Sequence, residues 1–457
     1  MRQGETREKY RRIVRDLLGM ILILVQGFIF FYVWICFFNP YIRNPYRFKG
    51  NYFLLGAYIV LTLVFSHIYG GMKIGYYKVF DMILSQSICA FVTNFVTYFV
   101  IVIPVATWYL SPAPLVWMTV LNVLVVIVWS ILSNRVFVRL FPPQRLLMLY
   151  TSDAGLLSEK FAGRPDRYVL AKKRKLNLEQ GEYEAAMIED VVNQCEGYDG
   201  VIIGDIRADI RNDLLKRCYS KGLRTYTLPK VSDVILKGSE TLHIFDSTVF
   251  LNRNYGLTVE QELAKRLFDL CLSGIGIIIS SPILCLTALA IKLEDGGPVF
   301  FKQKRCTKDG RIFNIIKFRS MIVDAEKEGE FIPAVEKDPR ITRIGSFIRA
   351  TRIDELPQLF NIFKGDMSVV GPRPERIEHV EKYTAEIPEF RDRLMVKGGL
   401  TGYAQIYGKY NTTPYDKLKL DLMYIQNYSL LMDISLILKT VKVIFTKEST
   451  EGFDKNA

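Results

Sequence analysis

The chain has 457 residues, 50% of them apolar, and a formal net charge of +13. That length predicts two to four domains, and the apolar share excludes a disordered chain and points to a membrane. Seven scattered cysteines without paired spacing (Cys36, Cys89, Cys195, Cys218, Cys271, Cys285, Cys306) exclude a disulfide framework or structural zinc, and His67, His243 and His379 are too far apart in sequence for a histidine metal cage.

Four uncharged runs, 17–38, 52–69, 82–110 and 115–132, each reach the length needed to cross about 30 Å of hydrocarbon as a helix. They define a four-helix transmembrane domain over 1–144. Lys and Arg set its orientation: Arg2, Arg7, Lys9, Arg11, Arg12 and Arg15 precede the first run, Lys73 and Lys78 separate the second and third, and Arg135, Arg139 and Arg145 follow the fourth. The other side carries Arg43, Arg47 and Lys49, so eleven cations against three place the N-terminus and everything after the fourth run in the cytoplasm. The basic residues track the membrane side and a candidate phosphate site described below, so no nucleic acid is expected as a partner.

From 145 to 254, short apolar runs alternate with polar helical ones. LLMLY (146–150), YVLA (168–171), GVIIGD (200–205) and RTYTLP (224–229) read as buried parallel strands, and 184–195 and 211–221 as helices. This is a small open, Rossmann-like α/β sheet. Its first turn, Thr151, Ser152, Asp153, Ala154, Gly155, lacks the G-x-G-x-x-G of a dinucleotide site, so a non-catalytic scaffold or contact module is expected, with nucleotide binding as the alternative.

The third domain, 255–457, opens with an apolar segment, 267–291, long enough to span. A span would strand the rest outside the cell, away from activated cytosolic substrates. Ser280, Ser281 and Pro282 near its middle offer another outcome, since proline removes a helix hydrogen bond and serine hydroxyls can satisfy the backbone groups it frees. The expectation is a re-entrant helix over 266–292 broken at Ser281 and Pro282, with a kinked full span as the alternative. Next, KQKRCTKDGRIFNIIKFR (302–319) holds seven cations against the single acid Asp309. Alternation in FNIIKFR predicts a strand with Lys317 and Arg319 on one side, suited to clamping a diphosphate.

TRIDELPQLFNIFKGDMSVVGPRPE (351–375) then sets the adjacent acids Asp354 and Glu355 among arginines, beside Pro357 and the apolar Leu356, Leu359 and Phe360. In a rigidly held pair, one carboxylate can attack phosphorus while its neighbour holds a divalent cation. Asp366 suits a second metal ligand or a turn cap. Gly399, Leu400, Thr401 and Gly402 would let backbone approach a nucleotide, and Tyr403, Tyr407 and Tyr410 stack on a base or pack internally. The apolar stretch 429–445, charged only at Asp433, Lys439 and Lys442, suits a helix at the membrane interface or a final core helix.

Over about 265–445 the chain resembles the bacterial polyprenyl-phosphate sugar-1-phosphate transferases. The resemblance rests on KRLFDL, the Ser-Pro helix, GGPVFFKQKR, KFRSM, DPRITRIGSFIRATRIDELPQLFN, KGDMSVVGPRPE and GLTGYAQIYGK. The spans and α/β domain resemble the large multi-span subgroup. Two departures stand out: Cys306 and Thr307 replace a glycine-containing pair, and Gly398 stands where a proline often precedes Gly-Leu-Thr-Gly.

The resemblance implies a membrane protein with α and α/β parts and an α-rich catalytic domain on the cytoplasmic face of the bacterial inner membrane. Its implied reaction moves sugar 1-phosphate from a nucleoside diphosphate-sugar, a UDP-hexose, to undecaprenyl phosphate, releasing UMP at the first membrane step of capsule, exopolysaccharide or O-antigen synthesis. Asp354 would be the nucleophile, forming an aspartyl phospho-sugar, and Glu355 would hold Mg²⁺. Arg349, Arg373, Arg319, Lys317, Lys302 and Gln303 would contact phosphate, and Gly399, Thr401 and Gly402 the nucleotide-sugar. A homodimer would fit the subgroup, while the sugar stays open. The rival from another class is a catalytically silent membrane scaffold for polysaccharide assembly.

Overall fold

A computed structural model describes residues 3–42, 44–105, 111–151, 155–176, 185–252, 255–323, 325, 338–408 and 412–444. Arg2, Arg43, the turn residues 152–154, Glu184, Tyr410 and Phe445 lie outside them. The chain divides into two compact units, Met1–Leu228 and Pro229–Ala457.

The first unit begins with four long helices: α1 (Gln3–Val33), continued by a π turn at Trp34–Phe38, α2 (Lys49–Tyr69), α3 (Val79–Val105) and α4 (Ala113–Leu140). All four are long and apolar enough to cross a membrane. Their pattern is inverted relative to a water-soluble bundle. Asn51, Thr62, Ser66, Gln86, Asn94, Asn122 and Ser130 are buried, while Phe53, Val60, Val64, Phe95, Trp117 and Leu124 face outwards. Several of the inner polar groups bond one another: Tyr58 Oη donates to Asn94 Oδ1 at 3.0 Å, Asn94 Nδ2 to Thr119 Oγ1 at 2.8 Å, and Gln86 Nε2 to Ser66 Oγ at 3.0 Å. Exposed apolar side chains around a polar seam suit apolar surroundings, where hydrogen bonds between helices replace the hydrophobic drive.

The same unit continues through β1 (Gln144–Tyr150), α5 (Gly155–Ala162), β2 (Tyr168–Lys175), α6 (Ala185–Gln194), β3 (Gly200–Ile203), α7 (Ala208–Ser220) and β4 (Arg224–Thr227). The four strands pair in parallel in the order β2-β1-β3-β4. Burial is uneven. β3 is buried throughout, but β2 is an edge strand with most side chains in contact with solvent, which corrects the expectation of four buried strands. An edge position leaves one hydrogen-bonding side unpaired and accommodates the lysines of YVLAKKRK, and β4, at the other edge, is only partly buried.

The second unit starts at Pro229, so α8 (Val231–Lys237) and the exposed hairpin β5 (Glu240–Ile244) and β6 (Ser247–Leu251) belong with it; the division falls before 254. Val231 and Val234 sit in one core with Leu418, Leu422 and Ile425. α9 (Val259–Asp295) follows, opened by a capping box in which Thr258 and Gln261 bond each other's backbone and ended by Gly296 at φ +71°. Then come the hairpin β7 (Phe300–Cys306) and β8 (Ile312–Phe318), α10 (Arg343–Ala350), α11 (Gln358–Lys364), β9 (Ser368–Val370), α12 (Ile377–Glu386), β10 (Gly399–Thr401), α13 (Tyr403–Tyr407), α14 (Pro414–Gln426) and α15 (Leu430–Ile444).

α9 is one helix of 37 residues with Pro282 inside it, so the expected break does not divide it. The local chemistry explains the continuity. Pro282 cannot donate to the Ile278 carbonyl, and Ser281 Oγ does so instead at 2.8 Å. Inverted burial recurs here. Lys265, Asp269, Ser273, Ser280 and Thr287 face inwards, while Ile275, Ile278, Ile279, Leu286, Leu289 and Leu293 are exposed.

The KRLFDL residues tie this helix down. Lys265 Nζ bonds Asp433 at 2.5 Å and Tyr424 Oη at 3.1 Å, Arg266 caps the α11 carbonyls of Ile362 and Phe363, and Asp269 accepts from Ser368 Oγ and the Val369 N–H. α15 carries Asp433 into this interior and packs Leu436 in the core with Tyr424, which matches the core-helix alternative, although Leu431 is exposed.

Candidate active site

α10 ends at Ala350, and Arg352 takes a left-handed conformation at φ +59° that reverses the chain. A single 3₁₀ turn, Ile353–Glu355, then presents the acid pair before Pro357 starts α11. A non-glycine residue held in this region is strained, and such strain concentrates at functional sites. The sequence contains the arginine but no signal of its backbone state.

The two carboxylates are in different circumstances. Glu355 Oε1 receives Lys317 Nζ at 2.8 Å from β8 and Arg373 Nη2 at 3.2 Å from the GPRP loop. Asp354 has no hydrogen bond or ion pair among the described residues, although Lys317, Arg349 and Arg352 lie close enough to act on its charge. Burial pushes the Asp354 carboxyl above the ordinary aspartate value; Lys317 opposes that and Glu355 adds to it. Burial also pushes Glu355 up, but the Arg373 and Lys317 charges outweigh it and hold this carboxyl well below the usual range. Lys317 itself is pushed down by burial against the pull of Glu355.

Of the sequence-derived candidates, Lys317, Arg349 and Arg373 therefore converge on the pair, and Arg352, left out of the expected set, joins them. Others do not. β8 ends at Phe318, and Arg319 turns to the end of α9, where its guanidinium forks onto Asp295 and donates to the Pro298 carbonyl at 2.6 Å. Lys317 and Arg319 thus part company because a carboxylate at the helix terminus engages the second cation.

In the β7–β8 register Phe301 opposes Lys317 and Lys302 opposes Ile316, which puts Lys302 on the other face of the hairpin from Lys317. Gln303 Oε1 is taken by Arg305. Asp366 pairs with Arg311 at 3.1 Å and Lys364 at 3.3 Å.

The Gly-Leu-Thr-Gly segment makes its close approach to the chain's own backbone. A Cβ at Gly399 would lie 2.1 Å from the Gly371 nitrogen, and one at Gly402 would lie 2.1 Å from the Gly371 oxygen. Those glycines let β10 lie against β9 and the GPRP loop, and Thr401 is buried with its hydroxyl on Thr440 at 2.7 Å. Tyr403 and Tyr407 pack on each other at 4.5 Å, and Tyr407 Oη accepts from Lys439.

The two departures from the family pattern meet in space. The Gly398 N–H, which a proline would lack, donates to Thr307 Oγ1 at 3.1 Å, and the Cys306 N–H donates to the Glu375 carbonyl at 3.0 Å.

No group of three His, Cys, Asp or Glu side chains suited to a metal occurs among the described residues, so a divalent cation at this site would need substrate oxygens beside the acid pair. Glu355 Oε2 has no hydrogen bond among the described residues because both cations take Oε1, so it fits such an ion in company with phosphate oxygens.

Residues 260–447 match the family model described as bacterial sugar transferase. A UDP-N-acetylgalactosamine-undecaprenyl-phosphate N-acetylgalactosaminephosphotransferase of Aeromonas hydrophila is 36% identical over 263 residues, covering 54% of this chain and 59% of that protein. A UDP-glucose:undecaprenyl-phosphate glucose-1-phosphate transferase of Klebsiella pneumoniae is 33% identical over 300 residues, 65% of this chain and 62% of that one. One of the same description from Caulobacter vibrioides is 39% identical over 197 residues, 42% of this chain and 73% of the relative. The chain thus spans about three fifths of the length of the Aeromonas and Klebsiella relatives and nearly three quarters of the Caulobacter one. These matches show that the chain belongs to the bacterial sugar transferase family.

Proposed function

We propose that this protein transfers a sugar 1-phosphate from a nucleoside diphosphate-sugar, a UDP-hexose, to undecaprenyl phosphate and releases UMP. This would be the first membrane step of capsule, exopolysaccharide or O-antigen synthesis. The observation that carries the reading is the asymmetry of the acid pair: Glu355 is fixed by two cations, whereas Asp354, beside it, is uncommitted.

Asp354 attacks the phosphorus bonded to the sugar; a P–O bond forms to its carboxylate, and the bond to UMP breaks, the electron pair leaving with UMP. The lipid phosphate oxygen then attacks the same phosphorus and expels the carboxylate, which regenerates the enzyme and yields the polyprenyl diphosphate-sugar. Lys317, Arg349, Arg352 and Arg373 offset the negative charge that would otherwise keep a carboxylate from a diphosphate. Mg²⁺ held by Glu355 and the diphosphate would supply further counter-charge when bound.

The exposed apolar face of α9 supports seating this helix in the inner membrane, either bending back at Pro282 as a re-entrant helix on the cytoplasmic side or crossing as a full span. The relatives' names differ in the sugar carried, so a nucleotide-sugar panel decides that choice. The leading experiment incubates purified enzyme with labelled donor alone: label retained on Asp354, with UMP released, is expected, and Asp354→Asn abolishes both. Release of UDP, or wild-type turnover by Asp354→Asn, would reject the mechanism. A silent scaffold would release nothing.

A further inference from the structure

The GPRP loop is held at consecutive carbonyls. Pro372 O accepts from the Gly399 N–H at 2.8 Å, Pro374 O from Arg305 Nη1 at 3.3 Å, and Glu375 O from the Cys306 N–H at 3.0 Å. The carbonyl between them, that of Arg373, accepts from Arg393 Nη2 at 3.0 Å.

Arg393 projects from the 3₁₀ segment Pro388–Met395 and is 2% exposed. Its guanidinium lies 2.8 Å from Asp421 Oδ2 on α14 and 3.6 Å from Glu375 Oε1, and stacks over the Phe390 ring at 4.9 Å. Asp421 is 1% exposed, and Glu375 has His379 as a further neighbour at 3.7 Å.

Burying one guanidinium with two carboxylates is a weak source of stability, because desolvation cancels most of the attraction. Its distinctive effect here is geometric. One guanidinium nitrogen, Nη2, bridges a carboxylate on α14 and the backbone of the residue whose side chain reaches Glu355, while Nη1 faces Glu375. A lysine at 393 has a single ammonium, which can stand in for Nη2 but supplies neither the Nη1 approach to Glu375 nor the planar stack on Phe390.

We infer that Arg393 is a positioning residue for Arg373: anchored on Asp421 and Glu375, it fixes the Arg373 backbone and thereby aims that guanidinium at the acid pair. What Arg373 then does to substrate rests on the proposed phosphosugar transfer; the positioning does not.

The test uses full-length protein in lipid nanodiscs, with Arg393→Gln, Arg393→Lys, Arg373→Gln and the Arg393→Gln/Arg373→Gln double variant. Arg393→Gln should lower kcat about a hundredfold, as misplacement by about 1 Å does, with a smaller change in KM. Arg393→Lys, which keeps one charged donor in place of Nη2, should rescue it in part. The double variant should be no slower than Arg373→Gln alone, because the effect runs through Arg373. Amide exchange in peptides covering 371–376 should quicken in Arg393→Gln while α14 keeps its protection; Asp421→Asn, which leaves the arginine but removes its nearest anchor, should show the same signature at smaller size.

An equal loss of rate from Arg393→Gln in both backgrounds, or unchanged loop exchange in both the Arg393 and Asp421 variants, would overturn the inference. If the wild-type protein releases no nucleoside monophosphate from any donor, the functional reading falls, and the exchange comparison alone decides the positioning.

Discussion

Asp354 and Glu355 share a peptide bond, yet their surroundings push their carboxyls in opposite directions, Asp354 up through burial and Glu355 down through Arg373 and Lys317. Linkage turns this into measurable behaviour. A carboxyl raised in the fold destabilises the folded state once pH passes its unfolded value, so Asp354→Asn should lose turnover and yet melt higher than wild type at pH 7, with the gain fading towards pH 3. For the wild type, the acid limb of the pH–rate profile should lie above the ordinary aspartate value of 3.8, since the proposed nucleophile must be ionised. Glu355 has the opposite sign: its stabilising contribution is present above the unfolded glutamate value and disappears as pH falls through its depressed folded value. Glu355→Gln should therefore melt lower than wild type at pH 7, and the two curves should converge in strong acid.

Arg352 separates backbone from charge. Arg352→Gly relieves a left-handed cost of about 1 kcal/mol and removes a cation acting on both carboxylates. Thermal melting should show stability kept or raised while turnover falls. At this scale the residue types were legible and their partners only partly so. Lys317 and Arg319 look equivalent in FNIIKFR, and only the fold shows one on Glu355 and the other on Asp295.

Among the elements, α9 joins two kinds of pattern that are easily confused in sequence. Its length and apolar content were plain, but Ser281 donating to the Ile278 carbonyl lets the helix run through Pro282, where the residues alone suggested a break. KRLFDL was visible as a motif without a visible task; its charged side chains lock α9 to α15, α11 and β9. The glycines of Gly-Leu-Thr-Gly marked close approach correctly in kind but not in partner, because glycine reports missing side-chain volume and is silent on what fills the space.

The Thr307–Gly398 contact is a further tertiary pairing, bridging residues 91 apart. Thr307→Ala leaves the Gly398 N–H buried without an acceptor, at a cost of about 1–3 kcal/mol. A lowered melting temperature is expected, whereas in a Gly398→Pro background, which has no N–H to lose, the same substitution should cost less.

For the whole molecule, the inverted burial of α1 to α4 and α9 calls for apolar surroundings, and the Lys/Arg asymmetry gives the orientation to be tested. If α9 is re-entrant, a reporter fused after Ala457 should read as cytoplasmic along with one fused at the N-terminus; an external signal would make α9 a full span. Sequence by itself determined the apolar helices, the parallel strands and the acid pair among cations, because each is written in local periodicity or in adjacent residues. Which cations reach that pair, how the chain reverses at Arg352, and what holds the Arg373 loop in place were decided only by tertiary structure. Those facts depend on register, backbone conformation and contacts between distant segments, and neighbouring residues along the chain do not encode them.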